Sequence, residues 1–224
     1  MNENEINDIY NNFIKTKNNV DYRDKRKDVL TILNTTNWKW ENKDFSRVIS
    51  LLEFKEYINN ATFKKSLIFN GHSDPELQYL NTNAIIHFDY ENNKEYDLHS
   101  FQSDERFDFF MLNQTLEHTY DPCLVLRNVY NIMNEGGLIY INVPSLCPPH
   151  NTPFHYYNGF TPTGLGAIVR QAGFEICDIG YWGNKEYVQY LFEHNDWPDY
   201  KKLKDYTNNI DYAVISWVFA KKEK

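Results

Sequence analysis

The apolar residues of this chain follow two different spacings, and the change comes near residue 65. Before that point, apolar residues within 6–14, 28–33 and 48–57 recur three or four positions apart. Such spacing places one side of a helix against a core, so it predicts helices. We therefore expect residues 1–60 to form a helical N-terminal extension or lid.

After residue 65, short apolar runs alternate with turns and helical segments. The two clearest helical segments span 123–133 and 164–171, and strands joined by helices favour a mostly parallel sheet. We predict one α/β domain over residues 61–224, with a Rossmann-like sheet, helices on both faces and an antiparallel last strand. The runs that predict strands cover 65–69, 84–88, 107–112, 138–143, 174–179 and 213–220.

Charge limits the partners that this chain can take. It has 224 residues and a formal net charge of −8. Because binding to phosphate backbones needs a positive surface, nucleic acid is not expected, and a small-molecule acceptor fits better. The first residues are polar, and no apolar run is long enough to span a bilayer. These features predict a cytoplasmic protein without a membrane span, for which an oligomer is possible.

The three cysteines and the histidine spacing give no sign of a metal or a disulfide framework. Cys123, Cys147 and Cys177 are far apart and form no CxxC pair, so we expect buried free thiols. No HxxxH pair or carboxylate cluster at ligand spacing is visible. We therefore predict that no metal is required.

Residues 107–144, FDFFMLNQTLEHTYDPCLVLRNVYNIMNEGGLIYINVP, resemble the class I methyltransferases that use S-adenosyl-L-methionine. In that family a strand starting Phe-Asp leads to Leu-Glu-His, Asp-Pro, a helix, a Gly-Gly turn and a strand ending at Pro. The turn glycines, Gly136 and Gly137, are expected to supply the positive φ angles that end the helix. The resemblance continues more weakly through 154–182, and it implies both the fold and the cofactor.

The expected cofactor loop departs from the family pattern. Where family members have Gly-x-Gly-x-Gly after the first strand, this chain reads NGHSDP, with a single glycine. The resemblance makes Asn70, Gly71 and His72 cofactor-binding candidates in a differently shaped loop. Pro75 then predicts the start of a helix, with Ser73 or Asp74 as its cap.

Further cofactor-binding candidates lie after the second and third strands. Asp89 follows Gly71 at about the 20-residue spacing of dinucleotide-binding folds, where a carboxylate holds the ribose, and Glu91 is the second choice. The alternative is that Asp89 is a solvated carboxylate in a polar turn. The family resemblance and the position at the carboxyl ends of strands add four more candidates, Asp97, Leu98, Asn113 and Gln114.

The acceptor is expected near the loop after the fourth strand, CPPHNTPFHYYNGF. His155, which falls on the family pattern, and His150 are the candidate general bases, since imidazole titrates near neutral pH. Glu117, His118, Tyr156 and Tyr157 are candidates for substrate binding. Alternatively, these histidines and Glu117 have structural roles as caps and hydrogen-bonding groups. Further aromatic residues can cover the pocket or belong to the core: Trp38, Trp40, Trp182 and the aromatic residues of 187–200.

Two functions stay open on the sequence. The first is an active O-methyltransferase for a carbohydrate or small polar metabolite, with N-methylation of an amino sugar as a close variant. The resemblance suggests surface-polysaccharide (capsule) biosynthesis, including a phosphoramidate decoration. The second is a catalytically inactive methyltransferase-like binding or regulatory protein, which the altered glycine loop favours.

Overall fold

A six-stranded sheet forms the centre of the computed structural model, which describes residues 1–25, 44–69, 71–90 and 92–223. The strand order in this described part is β2-β1-β3-β4-β6-β5. The strands are β1 (Ser66–Phe69), β2 (Ile85–Phe88), β3 (Phe107–Asn113), β4 (Met133–Pro144), β5 (Phe174–Trp182) and β6 (Ile215–Lys222).

The first four strands run parallel, and β6 inserts antiparallel between β4 and β5. The prediction of a mostly parallel Rossmann-like sheet with an antiparallel last strand is therefore confirmed. The carboxyl ends of β1 to β4 lie along one edge, which is where open α/β sheets bind ligands.

Helices cover both faces of the sheet. One hydrophobic cluster joins one face to α1, α3 and α4, and a second joins the other face to α2 and α5. Because both faces are covered, the central strands carry apolar residues on both sides, as the neighbouring Phe109 and Phe110 show by entering opposite clusters. The helices are α1 (Glu3–Ile9), α2 (Phe45–Ile58), α3 (Pro122–Ile132), α4 (Pro162–Gln171) and α5 (Lys185–His194).

The N-terminal segment packs directly on the α/β unit. After α1 the chain continues through a π-helical turn at Tyr10–Ile14, and this part contacts α4 and β5. Helix α2 lies against β5 and β6. That residues 1–60 act as a separate extension or lid stays a prediction.

Two local expectations were wrong in detail. The segment after Asp74 forms only a short 3₁₀ helix, Pro75–Tyr79, and the Asp74 side chain makes no capping hydrogen bond. Of the two turn glycines, Gly136 has a positive φ of 74°, whereas Gly137 does not. Gly137 is instead required by close packing, because a Cβ there would lie 2.9 Å from the Asn134 carbonyl oxygen.

Several predictions fall outside the described residues, namely Trp38, Trp40, Asn70, Glu91 and the helical stretch 28–33. Within the described part, no helix has both the length and the apolar character that a membrane span needs. The three cysteines are free, but only Cys147 is buried, since Cys123 and Cys177 are partly exposed. The expectation of buried thiols therefore holds for Cys147 alone.

Candidate active site

Gln114 marks the carboxyl end of β3 with an unusual backbone conformation. Its φ of 47° lies in the left-handed region, which costs energy for a residue with a side chain. Two hydrogen bonds to Asn142 of β4 hold it there, from the Gln114 backbone N–H to the carbonyl at 2.8 Å and from Nε2 to Oδ1 at 2.5 Å. Gln114 is therefore fixed at the edge of the sheet, between β3 and β4.

Asn113 connects this edge to the altered glycine loop. Its Nδ2 donates to Asp74 Oδ2 at 2.8 Å. The Asp74 carboxylate also lies against Gly71, where an added Cβ would be 2.8 Å from the same oxygen. Burial, followed by the nearby Glu76, raises the pKa of Asp74 to about 6. The Asp74 carboxylate thus connects the predicted residues Gly71 and Asn113. The sequence predicted for Asp74 only the role of a helix cap.

A second contact joins the predicted residues His72 and Asp89. Asp89 follows β2, and its Oδ2 lies 3.4 Å from His72 Nε2. The same carboxylate accepts the backbone N–H of Asn92 at 3.1 Å and its Nδ2 at 2.5 Å. Asp89 therefore stabilises a turn, which agrees with the alternative that it is a turn carboxylate. It also lies at the end of β2 beside the loop, which is the position that ribose binding requires.

Asp97 and Leu98, the next two cofactor-binding candidates, contact residues outside the candidate set. The Asp97 carboxylate accepts the backbone N–H of His99 at 3.0 Å and contacts the His99 ring nitrogen Nδ1 at 2.8 Å. The Leu98 side chain is buried in the cluster under α3, and its carbonyl accepts Asn128 Nδ2. In the described part, neither residue makes a hydrogen bond to another predicted cofactor residue. Their role in adenine binding stays a prediction.

A cavity of about 240 Å³ opens at the carboxyl edge next to Gln114. It lies between the ends of β3 and β4, the start of α2 and α5, so it is built from distant parts of the sequence. Of the predicted acceptor residues, His150 lines it, whereas His155, Tyr156 and Tyr157 do not. Its lining is Asp44, Ser46, Arg47, Gln114, Pro144, Leu146, Cys147, His150, Tyr187, Asp196, Trp197, Val214 and Ile215.

The start of α2 gives this cavity a buried polar wall. Asp44 caps the helix by accepting the Ser46 backbone N–H at 3.1 Å, and it also accepts the Tyr187 hydroxyl in a short hydrogen bond. Arg47 forms a two-pronged ion pair with Glu76, at 2.6 and 3.0 Å. This pair ties α2 to the connection between β1 and β2.

Sequence reasoning missed Asp44, Arg47 and Glu76 because their partners are remote along the chain. The one local signal was an Asp directly before an apolar helical stretch, which is the usual N-cap pattern. It indicates that a helix begins at Asp44 but not that the helix end faces a cavity.

Three imidazoles, those of His118, His150 and His155, cluster beside the cavity. Their ring centroids are 4.4 Å apart for His150 and His155, 4.9 Å for His118 and His150, and 5.4 Å for His118 and His155. Burial lowers the pKa of His118 and of His155, and neighbouring imidazoles add to the effect. The structure therefore brings together the two predicted bases and one predicted substrate residue.

Glu117 lies completely buried next to this histidine cluster. Burial raises the pKa of its carboxyl group to about 8, and neither carboxylate oxygen has a hydrogen-bond partner in the described part of the chain. Its backbone carbonyl accepts the N–H groups of Tyr156 and Tyr157 at 2.9 and 3.2 Å. Glu117 thus anchors the loop after β4 through its backbone, while its side chain faces the protein interior.

The two tyrosines lie in an exposed aromatic patch. Tyr156 and Tyr157 are 46% and 36% exposed, and Tyr120 and Phe154 nearby are 58% and 65% exposed. The Tyr157 hydroxyl donates to the Tyr120 carbonyl oxygen at 3.3 Å. Trp182, in contrast, is fully buried in the core, so it does not cover the pocket.

Comparison with known protein families decides the family. The model of the methyltransferase domain family matches residues 44–215, from the start of α2 to the start of β6. This chain belongs to the methyltransferase domain family. This membership confirms the prediction of an S-adenosyl-L-methionine-dependent class I methyltransferase. No curated protein matches this chain.

Solved methyltransferase structures share the fold. The N-methyltransferase NodS from Bradyrhizobium japonicum, in complex with S-adenosyl-L-homocysteine, is 10% identical with a TM-score of 0.53, covering 88% of this chain and 98% of its own. An S-adenosylmethionine-dependent methyltransferase from Clostridium acetobutylicum is 10% identical with a TM-score of 0.51, covering 90% and 99%. At such low identity the likeness shows the fold alone.

The residues at the β1–β3 edge fit the cofactor of this methyltransferase class. Asn113 Oδ1 is buried and has no hydrogen-bond donor among the described residues, so it can accept one from a ligand. The Asp89 carboxylate is 25% exposed at the end of β2 and can accept ribose hydroxyls. When bound, S-adenosyl-L-methionine supplies an activated methyl group on a sulfonium.

Proposed function

We propose that this methyltransferase methylates a hydroxyl oxygen of a carbohydrate or small polar metabolite. The observation that carries the proposal is the cavity of about 240 Å³ at the carboxyl edge, which has His150 in its wall. It adjoins Gln114, the last residue of the proposed cofactor edge. A donor held at that edge and an acceptor in the cavity would therefore be neighbours, and such positioning is the main requirement for group transfer.

The size and lining of the cavity favour a small polar acceptor. Its volume lies just below the range of about 300–1,000 Å³ that is usual for small-molecule sites. Asp44, Gln114 and Asp196 offer hydrogen-bonding groups for hydroxyls, and the indole of Trp197, 39% exposed, offers a flat surface for a sugar ring. The net charge of −8 speaks against a nucleic-acid acceptor.

His150 is placed to take the proton of the acceptor. Its Nδ1 lies 3.2 Å from the Pro148 carbonyl oxygen, which can only accept, so Nδ1 carries the hydrogen. The Nε2 lone pair is then available as a general base. His155 is not in the cavity wall, and we assign it a supporting position next to His150.

The biological setting that we propose is surface-polysaccharide (capsule) biosynthesis, including methylation of a phosphoramidate decoration. Its support is the family resemblance of the sequence together with a cavity suited to sugars. N-methylation of an amino sugar is the close variant. NodS, which shares the fold, is an N-methyltransferase.

One observation favours the second candidate, a methyltransferase-like binding protein without catalysis. The connection between β1 and β2 holds a single glycine near a short 3₁₀ helix, and the Asp74 carboxylate occupies space next to that glycine. A binding protein of this kind would retain the acceptor cavity but transfer no methyl group.

The test is methyl transfer from S-adenosyl-L-methionine with a radioactive methyl group to a panel of free sugars, sugar phosphates, nucleotide sugars and phosphoramidates, with RNA and DNA included for comparison. We expect a labelled sugar or small polar product, and His150→Ala should lower its rate about 10²–10⁴-fold through loss of the base. His194→Ala is the matched control, because His194 is an exposed histidine on α5. Labelling of nucleic acid alone, or equal rates in both variants, would contradict the proposal.

A further inference from the structure

The histidine cluster has the dimensions of a site for a metal ion. The side chains of His118, His150 and His155 each offer one nitrogen, and these three atoms lie within 4.8 Å of one another. In a tetrahedral site with bonds of 2.0–2.1 Å, ligand atoms are about 3.3 Å apart. Small side-chain movements toward a common centre would therefore complete the geometry.

Hydrogen bonds to backbone carbonyls already orient two of the rings. His118 Nδ1 lies 2.8 Å from the Phe154 carbonyl oxygen, and His150 Nδ1 lies 3.2 Å from that of Pro148. A nitrogen bonded to a carbonyl carries the hydrogen, so Nε2 of both rings presents its lone pair. This arrangement is typical of metal-binding histidines, whose second nitrogen is fixed by a carbonyl or a carboxylate.

Other polar groups around the cluster lack hydrogen-bond partners among the described residues, and a bound cation would interact with them favourably. His155 Nδ1 is buried and has no hydrogen-bond partner among the described residues. The same holds for both carboxylate oxygens of the fully buried Glu117, and Oε1 lies 3.9 Å from His118 Nε2. An unpartnered buried carboxyl group is costly, and a neighbouring positive ion would compensate for it.

We propose that His118, His150 and His155 bind one divalent transition-metal ion of the Zn²⁺ type, with Glu117 as the adjacent carboxylate. Imidazole nitrogens favour zinc and its neighbours over Mg²⁺ and Ca²⁺, which prefer oxygen. The buried thiol of Cys147, whose Sγ lies 4.0 Å from His155 Nε2, suits the same class of ion. This differs from the sequence-based prediction, because the three histidines show no ligand spacing along the chain.

A bound ion would change the role of His150. Its Nε2 lone pair cannot hold an ion and accept a proton at the same time. In the metal-loaded protein, the ion itself would make a coordinated acceptor hydroxyl more acidic. The site rests on geometry that does not depend on the proposed function, so metal binding and methyl transfer are tested separately.

The experiment is a titration of the untagged full chain, stripped with EDTA, with Zn²⁺ in competition with a chromophoric chelator. We expect one Zn²⁺ per chain, and an affinity that falls about 100-fold or more in His118→Ala and in His150→Ala, since each loses a ligand. The control His194→Ala should bind like the parent. Mg²⁺ should not compete.

Far-UV circular dichroism of each variant distinguishes the loss of a metal ligand from unfolding. If His118→Ala does not fold, the test uses His150→Ala, whose substitution lies in the loop after β4. No stoichiometric Zn²⁺ binding by the folded parent would overturn the proposal. Equal binding by the parent and a folded His150→Ala variant would overturn it as well.

Discussion

The carboxyl edge of the sheet has two halves that are built differently. At the β3–β4 half, Gln114 is held by two hydrogen bonds to Asn142, and Glu117 is fully buried. At the β1–β2 half, both strands have only four residues, and the His72 side chain is 52% exposed. Strand β2 is partly exposed over most of its length, and the Asp89 carboxylate that follows it accepts the N–H of the nearby Asn92.

This difference separates the proposed acceptor half, which is preformed, from the proposed cofactor half, whose outer part, β2 and the turn after it, is held by local contacts. Segments with few buried contacts open at lower cost than a packed core. We therefore expect ligand binding to stabilise the β1–β2 half more than the β3–β4 half. The buried Arg47–Glu76 ion pair joins the two halves, because Arg47 lines the cavity and Glu76 follows β1.

The largest effect is expected from breaking that ion pair. Arg47→Ala leaves Glu76, which is fully buried, without its charged partner. Removing one member of a buried pair costs about 3–5 kcal/mol, since the remaining charge stays desolvated. Urea unfolding of parent and variant measures the difference.

Arg23→Ala is the matched control for this change. The Arg23–Asp21 pair has side chains that are 67% and 48% exposed, and such a surface pair contributes less than about 1 kcal/mol. If Arg47→Ala and Arg23→Ala cost the same, the buried pair does not tie the two halves together.

A smaller effect concerns Asp74 and pH. Its pKa is raised in the folded chain to about 6 by burial and by Glu76, although Arg47 opposes the shift. The folded state thus binds the Asp74 proton more tightly than the unfolded state does. The stabilisation is complete below about pH 4 and is lost as pH rises through 6, amounting to roughly 3 kcal/mol.

The measurement is urea unfolding between pH 4 and pH 7 for the parent and for Asp74→Asn, which cannot titrate. We expect the free energy of unfolding of the parent to fall relative to the variant as pH rises through 6. A constant difference across this range would show that Asp74 does not titrate with a raised pKa.

The fold was predicted well where packing on both sheet faces leaves a nearly continuous apolar run. The runs at 107–112 and 138–143 lie within β3 and β4 for this reason. Helix α5 was missed. Only Tyr187 and Leu191 are buried on it, and its other apolar residues, Val188, Tyr190 and Phe192, are partly or fully exposed, so apolar residues occur on several sides of the helix.

The candidate site was most predictable at the ends of strands. Asn113, Gln114 and Asp89 were found because strand ends define the edge of the sheet. Asp44 and Arg47 reach the cavity through a helix that is distant in sequence, and no local pattern indicates that approach. Tyr187 and Trp197, which also line the cavity, belong to the aromatic residues of 187–200 that were expected to cover the pocket or to lie in the core. The three histidines were predicted one by one, but their clustering was not, because His118 and His150 come together only when the loop after β4 folds back on Glu117.

The central claim is that the β1–β2 half binds the cofactor, and calorimetric titration with S-adenosyl-L-homocysteine tests it most directly. We predict micromolar binding by the parent, weakened about tenfold or more in Asp89→Ala and unchanged in Asp104→Ala, an exposed aspartate elsewhere in the β2–β3 connection. No binding by the folded parent, or equal binding by both variants, would contradict the account.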